Sequence, residues 1–146
     1  MQSSAFIGIA LLMGVAMSIY LPMNSSVSRY LGSSIAATVT FYAVALLTAA
    51  VILMLSGEQD AITRIGQVPV FLYLAGFISA FMILGTTFLI PKIGARRFFI
   101  LLISGQILMA IIVSHFGILE SPRDPITFKK ILAAGFVIAG AFLSTG

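Results

Sequence analysis

Five apolar runs, separated by short polar segments, organise the chain. They lie at about 5–22, 35–55, 70–90, 98–116 and 129–145. The fourth run, as an α-helix rising ~1.5 Å per residue, reaches roughly 28 Å, close to the hydrocarbon thickness of a bilayer. Because the runs are continuous and do not alternate, they predict helices rather than the strands of an outer-membrane barrel. The pattern predicts an all-α, polytopic membrane protein, with five transmembrane helices in one domain over residues 1–146.

The composition agrees with this pattern. Hydrophobic residues make up 60% of the chain and charged residues only 8%, whereas soluble domains carry about 25% charged residues. The mean hydropathy is +1.17. The solvent of this protein is therefore lipid, and its helices must satisfy their own backbone groups before they pack on each other.

The segment that follows the first run carries local helix signals. Pro22 predicts a kink, because it lacks an N–H and clashes with the carbonyl four residues before it. Apolar residues recur at helical spacing beyond it, at Met23, Val27, Tyr30 and Leu31. The helix is therefore expected to continue past Pro22. Gly32 suits the position after a helix end, and Ser33 or Ser34 suits the cap of the next helix.

Several classes of partner and site are excluded by composition. The net charge is +4, but the basic residues lie almost wholly between apolar runs, where they are interfacial anchors. No basic face with interleaved aromatics indicates nucleic acid. Cysteine is absent and a single histidine is present, so we expect no metal site and no cofactor. No nucleophile–base constellation is visible, so we expect a protein that is not an enzyme.

Polar groups inside or beside the apolar runs are the candidates for a substrate cavity. Gln106 lies near the centre of the fourth run, and the other candidates are Ser79, Tyr42 and Asn24. A buried amide must find a partner, so Gln106 either bonds a neighbouring helix or lines a polar cavity at the midplane, where transporter sites lie. Asn24 belongs either to a wet helix end at the interface or to a ligand contact.

His115 stands near the end of the fourth run. Histidine is the only side-chain type that changes charge close to neutral pH. Two interpretations stay open, namely an interfacial histidine bonded to a loop carbonyl and a proton-responsive group beside an access path.

Small residues recur in the runs and let helix backbones approach closely. The glycines that we assign to helix packing are Gly14, Gly76, Gly105, Gly135 and Gly140. In the fifth run they cover much of the predicted helix surface, which favours a contact between two chains.

All four carboxylates lie in predicted loops, as Glu58, Asp60, Glu120 and Asp124. A proton-coupled exporter of lipophilic cations needs a counter-charge in its binding site. The predicted spans hold none, which favours neutral, zwitterionic or anionic substrates.

Several segments together resemble a known family. They are Pro91–Ala95, Gly105-Gln106, His115-Phe116-Gly117, Asn24–Gly32 and Lys129–Gly140. Across essentially the whole chain the sequence resembles the YdcZ-like bacterial branch of the drug/metabolite transporter superfamily. The resemblance implies a five-helix bundle related to half of a ten-helix transporter, and assembly in pairs that are inverted in many relatives. Ser114 stands where an Asp commonly precedes the histidine, so an Asp–His proton role is not carried over.

The basic residues predict no single orientation in the membrane. Five spans place Arg64, Arg123, Lys129 and Lys130 on one side, and Arg29, Lys92, Arg96 and Arg97 on the other. Cytoplasmic loops are normally enriched in Lys and Arg. An even balance removes that signal and predicts insertion both ways up, with antiparallel pairing as in inverted repeats.

These observations predict a multi-pass protein of the bacterial inner membrane. Its expected function is transport, by alternating access, of a small neutral, zwitterionic or anionic metabolite. The expected assembly is a dimer in the lipid bilayer, either of identical chains or with a paired homologous chain. The alternative is a non-transporting membrane scaffold or accessory subunit, in which the polar groups inside the spans only hold helices together.

Overall fold

The computed structural model describes residues 2–118 and 121–145, and the regular elements of these residues are all helical. The α-helices are α1 (Gln2–Leu31), α2 (Ser34–Ser56), α3 (Leu74–Ile93), α4 (Ala95–Phe116) and α5 (Phe128–Thr145). Two 3-10 helices, Gln59–Gln67 and Val70–Tyr73, join α2 to α3. The prediction of an all-helical protein is confirmed.

Four segments of the described chain are long and apolar enough to cross a membrane. They are Ser4–Leu31, Ser34–Ser56, Val70–Ile93 and Ala95–Phe116. They correspond to the first four predicted runs, and α1 extends past the end of the first apolar run near residue 22. The helix α5 has 18 residues, and its role as a fifth span stays a prediction.

Local signals set the turn between α1 and α2. α1 continues through Pro22 to Leu31, as predicted. Gly32 then adopts a φ of 65°, a left-handed conformation that glycine adopts without strain. Ser33 is extended, and its hydroxyl accepts the backbone N–H of Ala36 at 3.2 Å, which satisfies one of the free amides of α2. Both local predictions for this turn are confirmed.

The chain divides into two compact units, residues 1–92 and 93–146. In the first unit α1 packs against α2, with the rings of Tyr20 and Phe41 stacked at 5.8 Å. In the second unit α4 packs against α5. The left-handed Gly94, with a φ of 81°, caps the start of α4.

The buried residues of the first unit are mostly small or polar. They are Leu21, Asn24, Ser25, Ser28, Ala37, Thr38, Ile83, Thr86, Thr87 and Ile90. Lipid tails are as apolar as leucine, so burying apolar side chains does little to hold membrane helices together. Close packing and hydrogen bonds take over that role, which explains why hydroxyl groups fill the interior.

The glycines assigned to helix packing face open space. A Cβ added at Gly14, Gly76, Gly105, Gly135 or Gly140 would meet no atom within 4 Å. Within the described residues of its own unit, each of these glycines leaves room for a neighbouring helix. A packing role between two chains stays a prediction.

Candidate functional site

A buried hydrogen bond between Asn24 and Thr87 joins α1 to α3. The amide nitrogen of Asn24 donates to the hydroxyl of Thr87 at 2.8 Å. That hydroxyl in turn donates to the carbonyl of Ile83 at 2.7 Å. Asn24 is 7% exposed and Thr87 is 1% exposed. Thr87 is therefore the partner that a buried amide requires.

Helical spacing explains why these polar residues meet. Leu21, Ser25 and Ser28 share the buried face of α1 with Asn24, because residues three and four apart lie on one side of a helix. Ser25 also donates to the carbonyl of Thr87 at 3.5 Å. Asn24 and Ser25 therefore do not form the wet helix end that was one interpretation of this segment.

A groove of about 480 Å³ runs between α1 and α2 and reaches Asn24. This volume falls in the range of small-molecule sites. The groove is mainly apolar, and its lining residues are Tyr20, Met23, Asn24, Val27, Thr40, Phe41, Val44 and Ala45. The arrangement offers an amide, two hydroxyl groups and a stacked pair of aromatic rings to a bound molecule.

Two further candidates, Tyr42 and Ser79, pair with each other. Their hydroxyl oxygens lie 2.5 Å apart and join α2 to α3. Tyr42 also meets the ring of Phe41 edge to face at 5.3 Å, and Phe41 lines the groove. Tyr42 and Ser79 thus support one wall of the groove and do not line it.

The fourth candidate, Gln106, lies in the second unit and is exposed on the surface of α4. Ser104, two residues before it, donates to the carbonyl of Ile100 in its own helix. The two interpretations of Gln106, as a bond to a neighbouring helix or as a cavity lining, both stay open. Its role in a cavity stays a prediction that requires another surface to cover it.

His115 binds the loop between α4 and α5 in an unexpected way. Its Nδ1 atom accepts the backbone N–H of Ile126 at 3.1 Å, so the bond that the structure shows is to a loop amide and not to a loop carbonyl. The backbone N–H of Asp124 donates to the carbonyl of Ser114 at 2.8 Å. Because Nδ1 accepts the Ile126 N–H, we assign the ring proton to Nε2.

Charged groups flank this contact. Asp124 forms an ion pair with Lys130, and Lys130 also donates to the carbonyl of Pro125 at 2.8 Å. The side chain of Arg123 lies against Gly117, where α4 ends with a φ of 63°. Glu120 lies outside the described residues.

Acidic residues and histidine form no metal site in the part of the chain that the structure describes. No group of three such residues lies close enough together to hold an ion. The described acidic residues Glu58, Asp60 and Asp124 all lie outside the four candidate spans.

The His115 contact predicts that this side chain holds the loop before α5 in place. In His115→Leu the Ile126 amide loses its acceptor, so we expect its hydrogen-exchange protection to fall. In His115→Gln the side-chain carbonyl can still accept this N–H, so most of the protection should remain. Equal protection of this amide in the unsubstituted protein and in both variants would contradict the role of His115.

A family model described as "Putative inner membrane exporter, YdcZ" matches residues 5–143. No curated protein and no solved structure matches the chain. The match covers nearly the whole chain, including the groove, Gln106 and His115. The chain therefore belongs to the YdcZ family of the drug/metabolite transporter superfamily and is a multi-pass protein of the bacterial inner membrane.

Proposed function

We propose that this protein exports a small neutral, zwitterionic or anionic metabolite by alternating access, as a dimer, and that it is not an enzyme. The observation that carries the proposal is the groove between α1 and α2, which reaches the buried amide of Asn24. Membership of an exporter family supports transport as the activity. A lipophilic cation would meet no carboxylate in the described spans, which argues against that substrate class.

The groove offers specific hydrogen bonding within an apolar surface. The bond to Thr87 uses one N–H of the Asn24 amide, so the carbonyl oxygen and the second N–H remain for a ligand. Apolar side chains and the stacked rings of Tyr20 and Phe41 surround these groups. A small molecule with one polar edge and an apolar body suits this combination.

Pro22 gives α1 a place to bend next to the groove. It lies inside α1, two residues before Asn24. Proline donates no backbone hydrogen bond, so the carbonyl of Ser18 lacks its usual partner. We assign the opening and closing motion to the part of α1 between Pro22 and Leu31, with the Asn24–Thr87 bond made in one state.

The exposed amide of Gln106 supports a dimer. Leaving such a group unpaired in hydrocarbon costs several kcal/mol. A second copy of the chain, or a paired homologous chain, is the proposed cover. The open glycines of α5, Gly135 and Gly140, supply a surface that another helix can approach closely.

An antiparallel arrangement follows from the charge balance. Four Lys and Arg residues fall on each predicted side of the membrane, so neither orientation is favoured. Opposite copies related by a two-fold axis in the membrane plane would place both Gln106 side chains near the midplane, around one shared cavity.

Transport by the purified protein in liposomes tests the function. We expect flux of at least one member of a radiolabelled panel of neutral, zwitterionic and anionic metabolites. Ala45→Phe fills the groove and should reduce that flux at least tenfold, which corresponds to a loss of about 1.4 kcal/mol in substrate binding free energy. Ala43→Phe is the matched control, because Ala43 is exposed on α2 and does not line the groove.

Three outcomes would contradict the proposal. No flux across the whole panel would favour a scaffold or accessory subunit. Flux restricted to lipophilic cations would overturn the substrate class. Equal flux in the two phenylalanine variants would show that the substrate does not use the groove.

Reporter fusions at the C-terminus test the orientation. Phosphatase is active outside the cytoplasm and a fluorescent protein inside it, so both reporters should be active for a chain that inserts both ways. Replacing Arg96 and Arg97 by Gln removes two charges from one side and should shift the balance towards phosphatase activity. Activity of a single reporter in the unsubstituted protein would remove the case for an antiparallel dimer of identical chains.

A further inference from the structure

A second groove lies between α2 and α3, outside the proposed transport site. Its wider part has a volume of about 580 Å³ and includes Ser33, Ser34 and Phe88. A narrower part of about 140 Å³ continues along the same two helices to Val39 and Ala80. Ile35, Phe81 and Leu84 line both parts. The two parts form one channel, which we call the α2–α3 groove.

The α2–α3 groove is about as long as one leaflet is thick. From Phe88 to Ala80 it follows α3 for about 12 Å at ~1.5 Å per residue, and half of a ~30 Å hydrocarbon core is about 15 Å. Its narrower part is lined by apolar groups, and the one hydroxyl there, that of Thr38, is already bonded to the carbonyl of Ser34 at 2.8 Å. Gly85 deepens it, since a Cβ there would meet nothing within 4 Å.

One end of the groove is polar and positively charged. The ammonium group of Lys92 lies 3.8 Å from the centre of the Phe88 ring, and Phe88 lines the groove. The ring contact holds this cation at the groove end. Among the described residues no carboxylate pairs with Lys92. The hydroxyl groups of Ser33 and Ser34 lie at the same end.

We propose that the α2–α3 groove binds an anionic phospholipid. One acyl chain occupies the apolar channel beside Gly85, and the anionic headgroup lies at Lys92 and the serine hydroxyls. Charge complementarity favours this occupant, because a cation without a carboxylate partner at the membrane surface attracts anionic headgroups. The site is separate from the transport proposal and holds whether or not the α1–α2 groove carries a substrate.

The length of the groove distinguishes a lipid from a second copy of the chain. A partner helix that crosses the membrane needs a surface along the full ~30 Å of hydrocarbon, whereas this groove covers one leaflet. A zwitterionic lipid would fill the channel equally well but would gain less from Lys92. Preference for a negative headgroup is therefore the property that the proposal requires.

Native mass spectrometry of the purified protein in detergent tests the site, since membrane orientation has no influence there. Phosphatidylglycerol and phosphatidylethanolamine with the same acyl chains are titrated in turn. We expect phosphatidylglycerol to bind more tightly than phosphatidylethanolamine. Lys92→Gln should weaken phosphatidylglycerol binding about fivefold, because one basic residue contributes roughly 1 kcal/mol to the attraction of an anionic headgroup. Arg64→Gln, at the other end of this unit, should leave binding unchanged.

A second pair of variants tests the channel itself. Gly85→Leu adds a side chain to the groove at a position where the Cβ meets no atom within 4 Å, and it should weaken binding of both lipids. Gly76→Leu, in the same helix but outside the groove, should not. Equal affinity for the two lipids, or unchanged binding in Lys92→Gln or Gly85→Leu, would overturn the proposal. A loss of dimers in Gly85→Leu with lipid binding intact would assign the groove to a second copy instead.

Discussion

The structure depends on one constraint, which is that hydrocarbon supplies no hydrogen-bond partner. Every polar group inside a span therefore needs a partner within the protein, as the hydroxyl of Thr87 has in Asn24 and Ile83. Several other serine and threonine hydroxyls of the spans donate a hydrogen bond to the carbonyl four residues before them in the same helix. Helices whose polar groups are bonded in this way can lie in lipid. The hydrogen bonds between helices, Asn24–Thr87 and Tyr42–Ser79, then determine which helix faces contact each other.

The same constraint distinguishes the surroundings of Asn24 from those of Gln106. In the first unit the Asn24 amide is bonded and almost fully buried, and Asn24 lines the α1–α2 groove. In the second unit the amide of Gln106 remains exposed. A single chain thus gives the Asn24 amide a hydrogen-bond partner and leaves the Gln106 amide exposed. The proposed dimer would cover Gln106.

Sequence reasoning succeeded where the physics is local. The turn at Gly32 and Ser33 was predictable because conformation and capping depend on a few adjacent residues. The burial of Asn24 was not, because its partner lies 63 residues away and hydropathy does not report which helix faces meet. The partner of His115 was also missed, since a loop folded back by the Asp124 amide leaves no pattern in the chain.

The environment of Gln106 in the membrane is the most direct test of this account. A spin label on cysteine at position 106, in the protein reconstituted in liposomes, reports its exposure through collisions with oxygen dissolved in the lipid. Because an unpaired amide in hydrocarbon is costly, we predict that the second chain shields this position and that the collision rate is low. A collision rate equal to that of a label dissolved in the bilayer would contradict the account.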